Sequence, residues 1–301
     1  MTPPDGVKPS TGELQMVSRQ TQIKEGLLAT LFFLCAFVAV LAVALIFAFV
    51  GFKASPIVRE YGISKFLLGT EWVSSDEKFG ILPLMQGSFI VTLGALVLGT
   101  PLAVGTAVFL SEIATPMIRK IVRPAVELLA GIPSVVYGFF GVIVLRPIVG
   151  QITGGVGFGP ASAAIILAIM IVPTIAALSE DALGSIPMGI REASFAMGAT
   201  QWQTIYKVVV PAAKIGIVDA IILGMGRAVG ETMAVLMLVG GAPVFFHGMG
   251  GPMATLTSQI VMDMGYSTGT HRTALFGMAA LLFLISMGLV LAVRLMSRLR
   301  D

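Results

Sequence analysis

The stretch REASFAMGATQWQTIYKVVVP, residues 191–211, is too polar to lie within a bilayer, yet apolar runs flank it on both sides. Over residues 182–198, apolar residues recur at the three- and four-residue spacing of an amphipathic helix, at Ile186, Ile190, Ala193 and Met197. Gly198 can adopt a left-handed conformation, so it predicts the end of a helix over about 182–198, with a second helix over about 199–207. Two short helices joined by a turn between two spans indicate that a partner outside the membrane binds this loop.

The composition of the chain excludes an ordinary soluble protein. The 301 residues are 56% hydrophobic and only 12% charged, and the mean hydropathy is +0.95. Soluble domains carry about 25% charged residues and cannot shield this much apolar surface from water. We therefore predict an all-α, polytopic integral membrane protein surrounded by lipid, with no nucleic-acid partner. The single cysteine, Cys35, excludes an intrachain disulfide, and the lone histidines His247 and His271 have no metal-ligand spacing, so we expect no metal site.

Six apolar stretches are long enough to cross a bilayer, which takes roughly 20 residues. They lie at about 27–52, 84–111, 124–149, 160–180, 208–240 and 273–296. Pro101, Pro133 and Pro173 predict kinks in the second, third and fourth of them. The chain is divided into a polar cytoplasmic tail (1–26), a first span with an extracytoplasmic interfacial segment (27–82), and a transmembrane core (83–301) that contains the coupling loop (182–207).

The distribution of basic residues predicts the orientation in the membrane. Of the 19 lysines and arginines, 12 fall on the side of the N-terminus, six fall on the other side, and Arg227 lies within a span. Both termini and the coupling loop are therefore expected in the cytoplasm. Outside, residues 53–82 suit a short interfacial helix followed by a turn. Residues 240–271 suit a loop with a surface helix at about 253–264, or alternatively a docking face for an extracytoplasmic protein.

The fifth predicted span contains three ionisable residues, Asp219, Arg227 and Glu231. Charge within a span is costly and by default indicates a site. Arg227 and Glu231 are four residues apart, hence neighbours on one face of a helix. Arginine offers a rigid fork of donors suited to oxyanions, and the glutamate would hold that fork and accept the proton of a protonated oxyanion. Two alternatives stay open: a salt bridge that locks helices together, or an arginine that reaches the interface.

The third predicted span contains Gly131, Pro133 and Gly138, which suggest a broken helix. Backbone N–H groups freed at the break, with the Ser134 hydroxyl and Tyr137, would suit an anion as helix N-termini do in transporters. The alternative is a simple kink with Ser134 bonded to its own helix. Weaker expectations concern residues that we interpret as structural: Ser88 and Thr92 as helix-packing hydroxyls, Glu127 as the partner of Arg123, and Asp219.

Residues 192–211 resemble the EAA loop of ABC importer permeases. The family pattern is Glu-Ala-Ala, three residues, Gly, nine residues, Ile-x-Leu-Pro. Glu192, Ala193, Gly198 and Pro211 match it at the same spacing, and Ser194, Val208 and Val210 are mild substitutions.

Three further strings resemble the permeases of the phosphate-specific ABC importer. They are GSFIVTLGALVLGTPLAVGTAVFLSE (87–112), LLAGIPSVVYGFFG (128–141) and GRAVGETMAVLM (226–237). The ending GETMAVLM favours the PstC-type subunit over its PstA-type sister.

The resemblance implies a MetI-like permease core with about six transmembrane helices in the inner membrane of a prokaryote. It implies import of inorganic phosphate by alternating access, along a path that includes Arg227, Glu231, Ser134 and Thr232. Glu192, Ala193, Gly198 and Pro211 would engage a cytoplasmic ATPase dimer (PstB type). The other implied partners are a second permease (PstA type) and an extracytoplasmic phosphate-binding protein (PstS type). The chain lacks the motif G-x-x-x-x-G-K-[ST], so ATP and Mg²⁺ are expected on the ATPase and no cofactor on this chain.

Three other functions stay open. A sister importer would carry another oxyanion such as sulfate, molybdate or phosphonate. A proton-coupled secondary transporter would use Arg227, Glu231 and Asp219 as a relay, although it would leave the coupling loop unexplained. A non-transporting scaffold or receptor would use the 240–271 loop.

Overall fold

The computed structural model describes the backbone of residues 19–298 and the side chains of residues 27–295. Residues 1–18, which make up most of the predicted tail, and residues 299–301 lie outside the described part. The described residues form two compact units, 19–49 and 50–298. The first unit is helical throughout, and the packing contacts and sites described below lie within the second.

The elements are numbered in chain order. The amino-terminal part comprises α1 (Arg19–Pro56), a π-helical turn (Ile57–Gly62), α2 (Ile63–Leu68), β1 (Trp72–Val73), a 3-10 turn (Ser74–Asp76), β2 (Lys78–Phe79), α3 (Leu82–Val108) and a π-helical turn (Phe109–Ile113). The middle part comprises α4 (Pro116–Gly131), α5 (Ser134–Phe140), a π-helical turn (Gly141–Leu145), α6 (Arg146–Thr153), α7 (Pro160–Gly184) and α8 (Met188–Ala196). The carboxy-terminal part comprises α9 (Gln201–Thr204), a π-helical turn (Ile205–Val209), α10 (Val210–Ala212), α11 (Lys214–Gly230), α12 (Met233–Val239), α13 (Leu256–Met264) and α14 (Gly269–Arg298).

Five helical stretches in the described chain are long and apolar enough to cross a membrane. They are Leu27–Leu68, Leu82–Ile113, Ser134–Thr153, Pro160–Gly184 and Gly269–Leu295. A bent pair, Gln201–Ala212 with Lys214–Gly230 at 67°, makes a sixth if it is counted as one span. The all-α polytopic fold is thus confirmed, with one two-stranded antiparallel hairpin, β1–β2, as an unpredicted addition within residues 53–82.

Two predicted spans differ from the observed ones. The third begins at Ser134 and not at residue 124, because Ile132 and Pro133 are extended and end the preceding helix. Residues 124–131 belong instead to the amphipathic helix α4. The predicted fifth span, 208–240, is bent at Ala213 and interrupted again after Gly230. Hydropathy averaged over a window depends only on residue types, so it joins helices that are separated by a backbone break into one predicted span.

Small residues bring the central helices close together. A Cβ on Gly94 of α3 would lie 2.9 Å from the Cβ of Ala164 on α7, and a Cβ on Gly99 would lie 3.0 Å from the carbonyl oxygen of Ala168. The contacts advance in the same direction along both helices, so α3 and α7 run parallel. Further along α7, a Cβ on Gly224 of α11 would lie 2.5 Å from Cγ1 of Ile175. Close backbone approach through small residues is how membrane helices gain packing energy.

A carboxylate outside the spans fastens the hairpin to α13 and α14. Asp263 accepts hydrogen bonds from Trp72 Nε1 (3.0 Å), Gln259 Nε2 (2.8 Å) and the Tyr266 hydroxyl (3.0 Å), and its Oδ2 lies 3.0 Å from His271 Nε2. Burial raises the pKa of this carboxyl, but the four hydrogen bonds outweigh it and hold the pKa below the ordinary value of 3.8. His271, which the sequence leaves as a lone loop residue, is therefore a partner of Asp263.

Replacing Asp263 with asparagine is expected to lower the Tm of the purified protein by about 4 °C. The substitution replaces one acceptor oxygen of the carboxylate with an N–H₂ group, so the donors that bonded to that oxygen lose their acceptor. Since the folded-state pKa of Asp263 is depressed, its stabilisation is complete above the unfolded-state pKa and is lost only as the pH falls through the lower folded-state value. The difference in Tm between wild type and variant should therefore be no smaller at pH 5 than at pH 8, measured by intrinsic fluorescence in detergent. A difference that shrinks between these two pH values would contradict this role.

Candidate substrate path and coupling surface

The third span starts at a true helix break, as the sequence predicts. Helix α4 ends at Gly131, two extended residues follow, and α5 starts at Ser134. The Tyr137 hydroxyl donates to the carbonyl oxygen of Leu129 at 2.8 Å, which satisfies one carbonyl near the end of α4. The Ser134 hydroxyl is half-buried and makes no hydrogen bond with any residue that the structure describes. The alternative of a kink with Ser134 bonded to its own helix is therefore not observed.

A second break separates α11 from α12. Helix α11 ends at Gly230 and Glu231 is extended, with ψ near 129°. The prediction that Arg227 and Glu231 share a helical face is therefore wrong, because the helix stops between them. The Glu231 carboxylate instead turns forward and accepts the backbone N–H of Ala234 at 3.2 Å. A carboxylate placed there satisfies a free N–H of the first turn of α12 and favours the start of that helix.

The two breaks lie side by side. A Cβ on Gly138 of α5 would lie 2.6 Å from the Sδ of Met237 and 3.1 Å from the Cα of Ala234, and Gly141 meets Leu238 just as closely. These contacts advance in the same direction along both helices, so α5 and α12 are parallel. Their first turns therefore start at the same end of the pair, which brings Ser134 to the level of Glu231 and Thr232. Four residues predicted from distant parts of the chain thus converge on one region, with Arg227 one turn before the second break.

Arg227 is a cation without an anionic partner in the described structure. Its Nη1 donates to the Thr174 Oγ1 at 2.9 Å, and no carboxylate of the described residues lies within 4 Å of it. The predicted salt bridge to Glu231 is not formed. Nor does the side chain reach an interface, because Thr174 lies in the middle of α7 beside Pro173. A cation among membrane helices is costly to leave uncompensated, so this geometry favours an anionic ligand.

Thr174 was not predicted from the sequence. Its position directly after Pro173 is a usable signal in hindsight, because hydroxyls often compensate the carbonyls that a proline frees. Ser88, predicted to pack helices, accepts the backbone N–H of Leu256 at 2.9 Å and so anchors the loop before α13. Asp219, predicted to be structural, has a buried Oδ1 without a hydrogen-bond partner among the described residues.

The coupling loop folds largely as predicted. Helix α8 ends before Gly198, whose φ of +80° is left-handed, and the N–H of Gly198 bonds to the carbonyl of Phe195 at 2.9 Å. A second helix follows: Thr200 and Gln203 form a capping box that opens α9. The first helix starts at Met188 rather than at residue 182, because α7 continues to Gly184 and the chain then turns through Pro187.

The surface of this loop is open. Four predicted coupling residues, Glu192, Ala193, Gly198 and Pro211, are all exposed. Large apolar side chains beside them are also exposed, with Met197 at 88%, Tyr206 at 76% and Trp202 at 68%. The predicted single apolar face is wrong, because Ile186 lies before the helix and is buried in the core, whereas Met197 points to solvent. We call the exposed set of Glu192, Met197, Trp202 and Tyr206 the coupling surface.

Comparison with known proteins gives a consistent result. Residues 99–300 match the family described as binding-protein-dependent transport system inner membrane component. The chain is 40% identical to the probable ABC transporter permease protein YqgH of Bacillus subtilis, over 88% of each chain. It is 32% identical to the phosphate transport system permease protein PstC of Xylella fastidiosa, over 78% of each chain.

Among solved structures, inward-facing conformations of the MetNI methionine ABC transporter match with 28% identity and a TM-score of 0.51, over 69% of this chain and 90% of that chain. A bacterial alginate ABC transporter in complex with an alginate pentasaccharide-bound periplasmic protein shares the fold, at 18% identity and a TM-score of 0.59, over 94% of this chain and 96% of that chain. The predicted importer-type permease core is confirmed. The chain therefore belongs to the family of binding-protein-dependent transport system inner membrane components, as a permease subunit and not an enzyme.

Proposed function

We propose that this permease carries inorganic phosphate across the cytoplasmic membrane by alternating access. The observation that carries the proposal is the uncompensated guanidinium of Arg227, held by Thr174 beside two helix breaks. Arginine presents donors in a planar fork that matches phosphate oxygens. Similarity to the PstC proteins of phosphate transport systems supports phosphate as the anion.

In this proposal the path residues have distinct roles. Arg227 supplies the charge that binds the anion. The Ser134 and Thr232 hydroxyls lie at the two breaks. Ser134 offers a neutral donor to the same oxygens, whereas Thr232 donates to the carbonyl of Gly230 at 3.2 Å and would have to turn from it to reach the ion. Glu231 keeps the second break in place through its bond to Ala234, and its negative charge near the path limits how tightly phosphate is held. A site that binds too tightly would not release its ion, which a transporter must do in every cycle.

The family fold implies two kinds of partner, an ATPase and a substrate-binding protein. The specific partners that we propose are a PstB-type ATPase dimer, which holds ATP and Mg²⁺, a PstA-type second permease and a PstS-type phosphate-binding protein. This chain itself binds no cofactor. Both termini face the cytoplasm in the proposed orientation, which puts the coupling surface on the side of the ATPase.

Uptake of labelled phosphate by the complete importer in proteoliposomes tests the proposal. We expect uptake that needs ATP on the cytoplasmic side, persists without a pH gradient, and resists a hundredfold excess of sulfate, molybdate or phosphonate. Inhibition by one of these anions would assign the path to that anion instead. Uptake driven by a pH gradient without ATP would instead indicate a proton-coupled carrier.

A further inference from the structure

The cytoplasmic end of α3 is joined to the coupling loop by a two-pronged ion pair. Arg191 of α8 donates from Nη2 to Glu112 Oε1 at 2.7 Å and from Nε to Glu112 Oε2 at 3.1 Å. The two side chains are only 12% and 9% exposed. Two of the three remaining N–H donors of the guanidinium are also used, because Nη1 bonds to the carbonyl of Ile186 (2.6 Å) and Nη2 to that of Leu183 (3.0 Å). Such a planar fork fixes direction as well as distance.

Further bonds hold Glu112 and its neighbours in place. The Ser111 hydroxyl donates to Glu112 Oε1 at 2.9 Å, and Gln201 Nε2 donates to the Glu112 carbonyl at 3.1 Å. Arg119 of α4 binds the carbonyls of Leu110 and Ser111 at 2.8 and 2.9 Å. The π-helical end of α3 is therefore a rigid attachment point and not a frayed terminus.

Helix α8 has few other attachments to the spans. None of its nine residues is buried. Apart from the bonds of Arg191, the side-chain bond of the described helix is the one between the Ser194 and Thr204 hydroxyls at 2.9 Å, and it stays within the coupling loop. Along the chain, α8 is connected to α7 on one side and through α9 to α11 on the other. An open cleft of about 870 Å³ beside the pair, lined by residues of α4, α7 and α8, leaves α8 room to move.

We propose that Arg191 and Glu112 form a positioning pair that makes α3 follow the coupling helix when the ATPase moves it. The inference rests on the proposed function, because it needs an ATP-driven displacement of the coupling loop. Glu112 at the end of α3 is 79 residues away from Arg191 in sequence, so the chain itself does not transmit a movement of α8 to α3 directly. Because α3 also packs closely on α7, the pair lets one movement of α8 shift both helices as a block. Without the pair, a movement of α8 reaches α3 only indirectly, through the packing of α3 on α7.

The test uses the complete importer, with its ATPase, second permease and binding protein, in proteoliposomes. Phosphate uptake and ATP hydrolysis are measured together, and the readout is phosphate carried per ATP hydrolysed. For Glu112→Gln we expect ATP hydrolysis within about twofold of wild type and a ratio about tenfold lower. The matched control is Glu127→Gln, which breaks the exposed Arg123–Glu127 pair at 3.1 Å and should leave the ratio unchanged.

A second variant separates transmission from simple stability. Glu112→Cys and Arg191→Cys are combined with Cys35→Ala, and the two thiols are joined by a bifunctional maleimide that spans the replaced pair. The crosslinked protein should carry at least three times as much phosphate per ATP hydrolysed as the same double-cysteine protein without the crosslinker. The inference is overturned if Glu112→Gln keeps the wild-type ratio, if uptake and hydrolysis fall together with the amount of complex, or if linking restores nothing. A wild-type importer that hydrolyses ATP but carries no phosphate overturns the proposed function as well.

Discussion

We expect Arg227→Gln to lower phosphate uptake by at least about 100-fold, with the importer still assembled in the membrane. Each hydrogen bond from a charged group contributes about 1.5–3 kcal/mol, and a guanidinium fork makes two of them to one anion. Since 1.4 kcal/mol corresponds to a factor of ten, loss of both bonds corresponds to two orders of magnitude or more. Glutamine keeps much of the length and the polarity of the side chain, so packing against α7 should survive. The measurement is the initial rate of labelled phosphate uptake, normalised to complex in the membrane.

Two control variants distinguish the charge of Arg227 from its position. Arg227→Lys keeps the charge but loses the fork, so uptake should fall by about tenfold. Thr174→Val keeps the whole arginine and removes only the 2.9 Å hydrogen bond that orients it, so uptake should fall by about threefold to tenfold. We therefore expect the loss of uptake to be largest for Arg227→Gln, smaller for Arg227→Lys and smallest for Thr174→Val. Near-normal uptake in Arg227→Gln would make the arginine a structural residue.

The coupling loop was predictable because its signals are local. Gly198 lies where the helix must reverse, and the observed φ of +80° is the conformation that glycine adopts more readily than other residues. Thr200 and Gln203 are three residues apart, the spacing of a capping box, and they open the next helix. In each case the residues that predict the turn or the helix start are the same residues that form it, and they are close together in the sequence.

The path was only partly predictable, because periodicity arguments assume that a helix continues. Arg227 and Glu231 have the spacing of helical neighbours, yet the helix stops at Gly230 and the glutamate caps the helix that follows. The broken third span was visible because proline and glycine mark it, although its start was placed ten residues too early.

Contacts between distant residues had no signal in the sequence. The bond from Arg227 to Thr174 joins residues 53 apart, the Arg191–Glu112 pair joins residues 79 apart, and the bond from Trp72 to Asp263 joins residues 191 apart. Each depends on helix packing that a single sequence does not specify locally. Of the residues in these three contacts, the sequence singled out only Arg227, because a charge within a predicted span is rare, and its partner Thr174 was missing.

Glu192→Ala is expected to weaken binding of the ATPase to the assembled permease by about 30-fold or more, and uptake should fall with it. Glu192 is exposed on the coupling surface and forms no ion pair among the described residues, so its removal costs α8 little. Loss of a charged group that becomes buried against a partner costs about 2 kcal/mol or more, which gives the factor of 30. The measurement is the amount of ATPase that co-purifies with the permease over a range of ATPase concentrations, together with labelled phosphate uptake. The control is Glu127→Ala, which removes an equally charged, 59% exposed carboxylate from α4 and should bind the ATPase as wild type does. If Glu192→Ala also binds the ATPase as wild type does, Glu192 does not contact the ATPase.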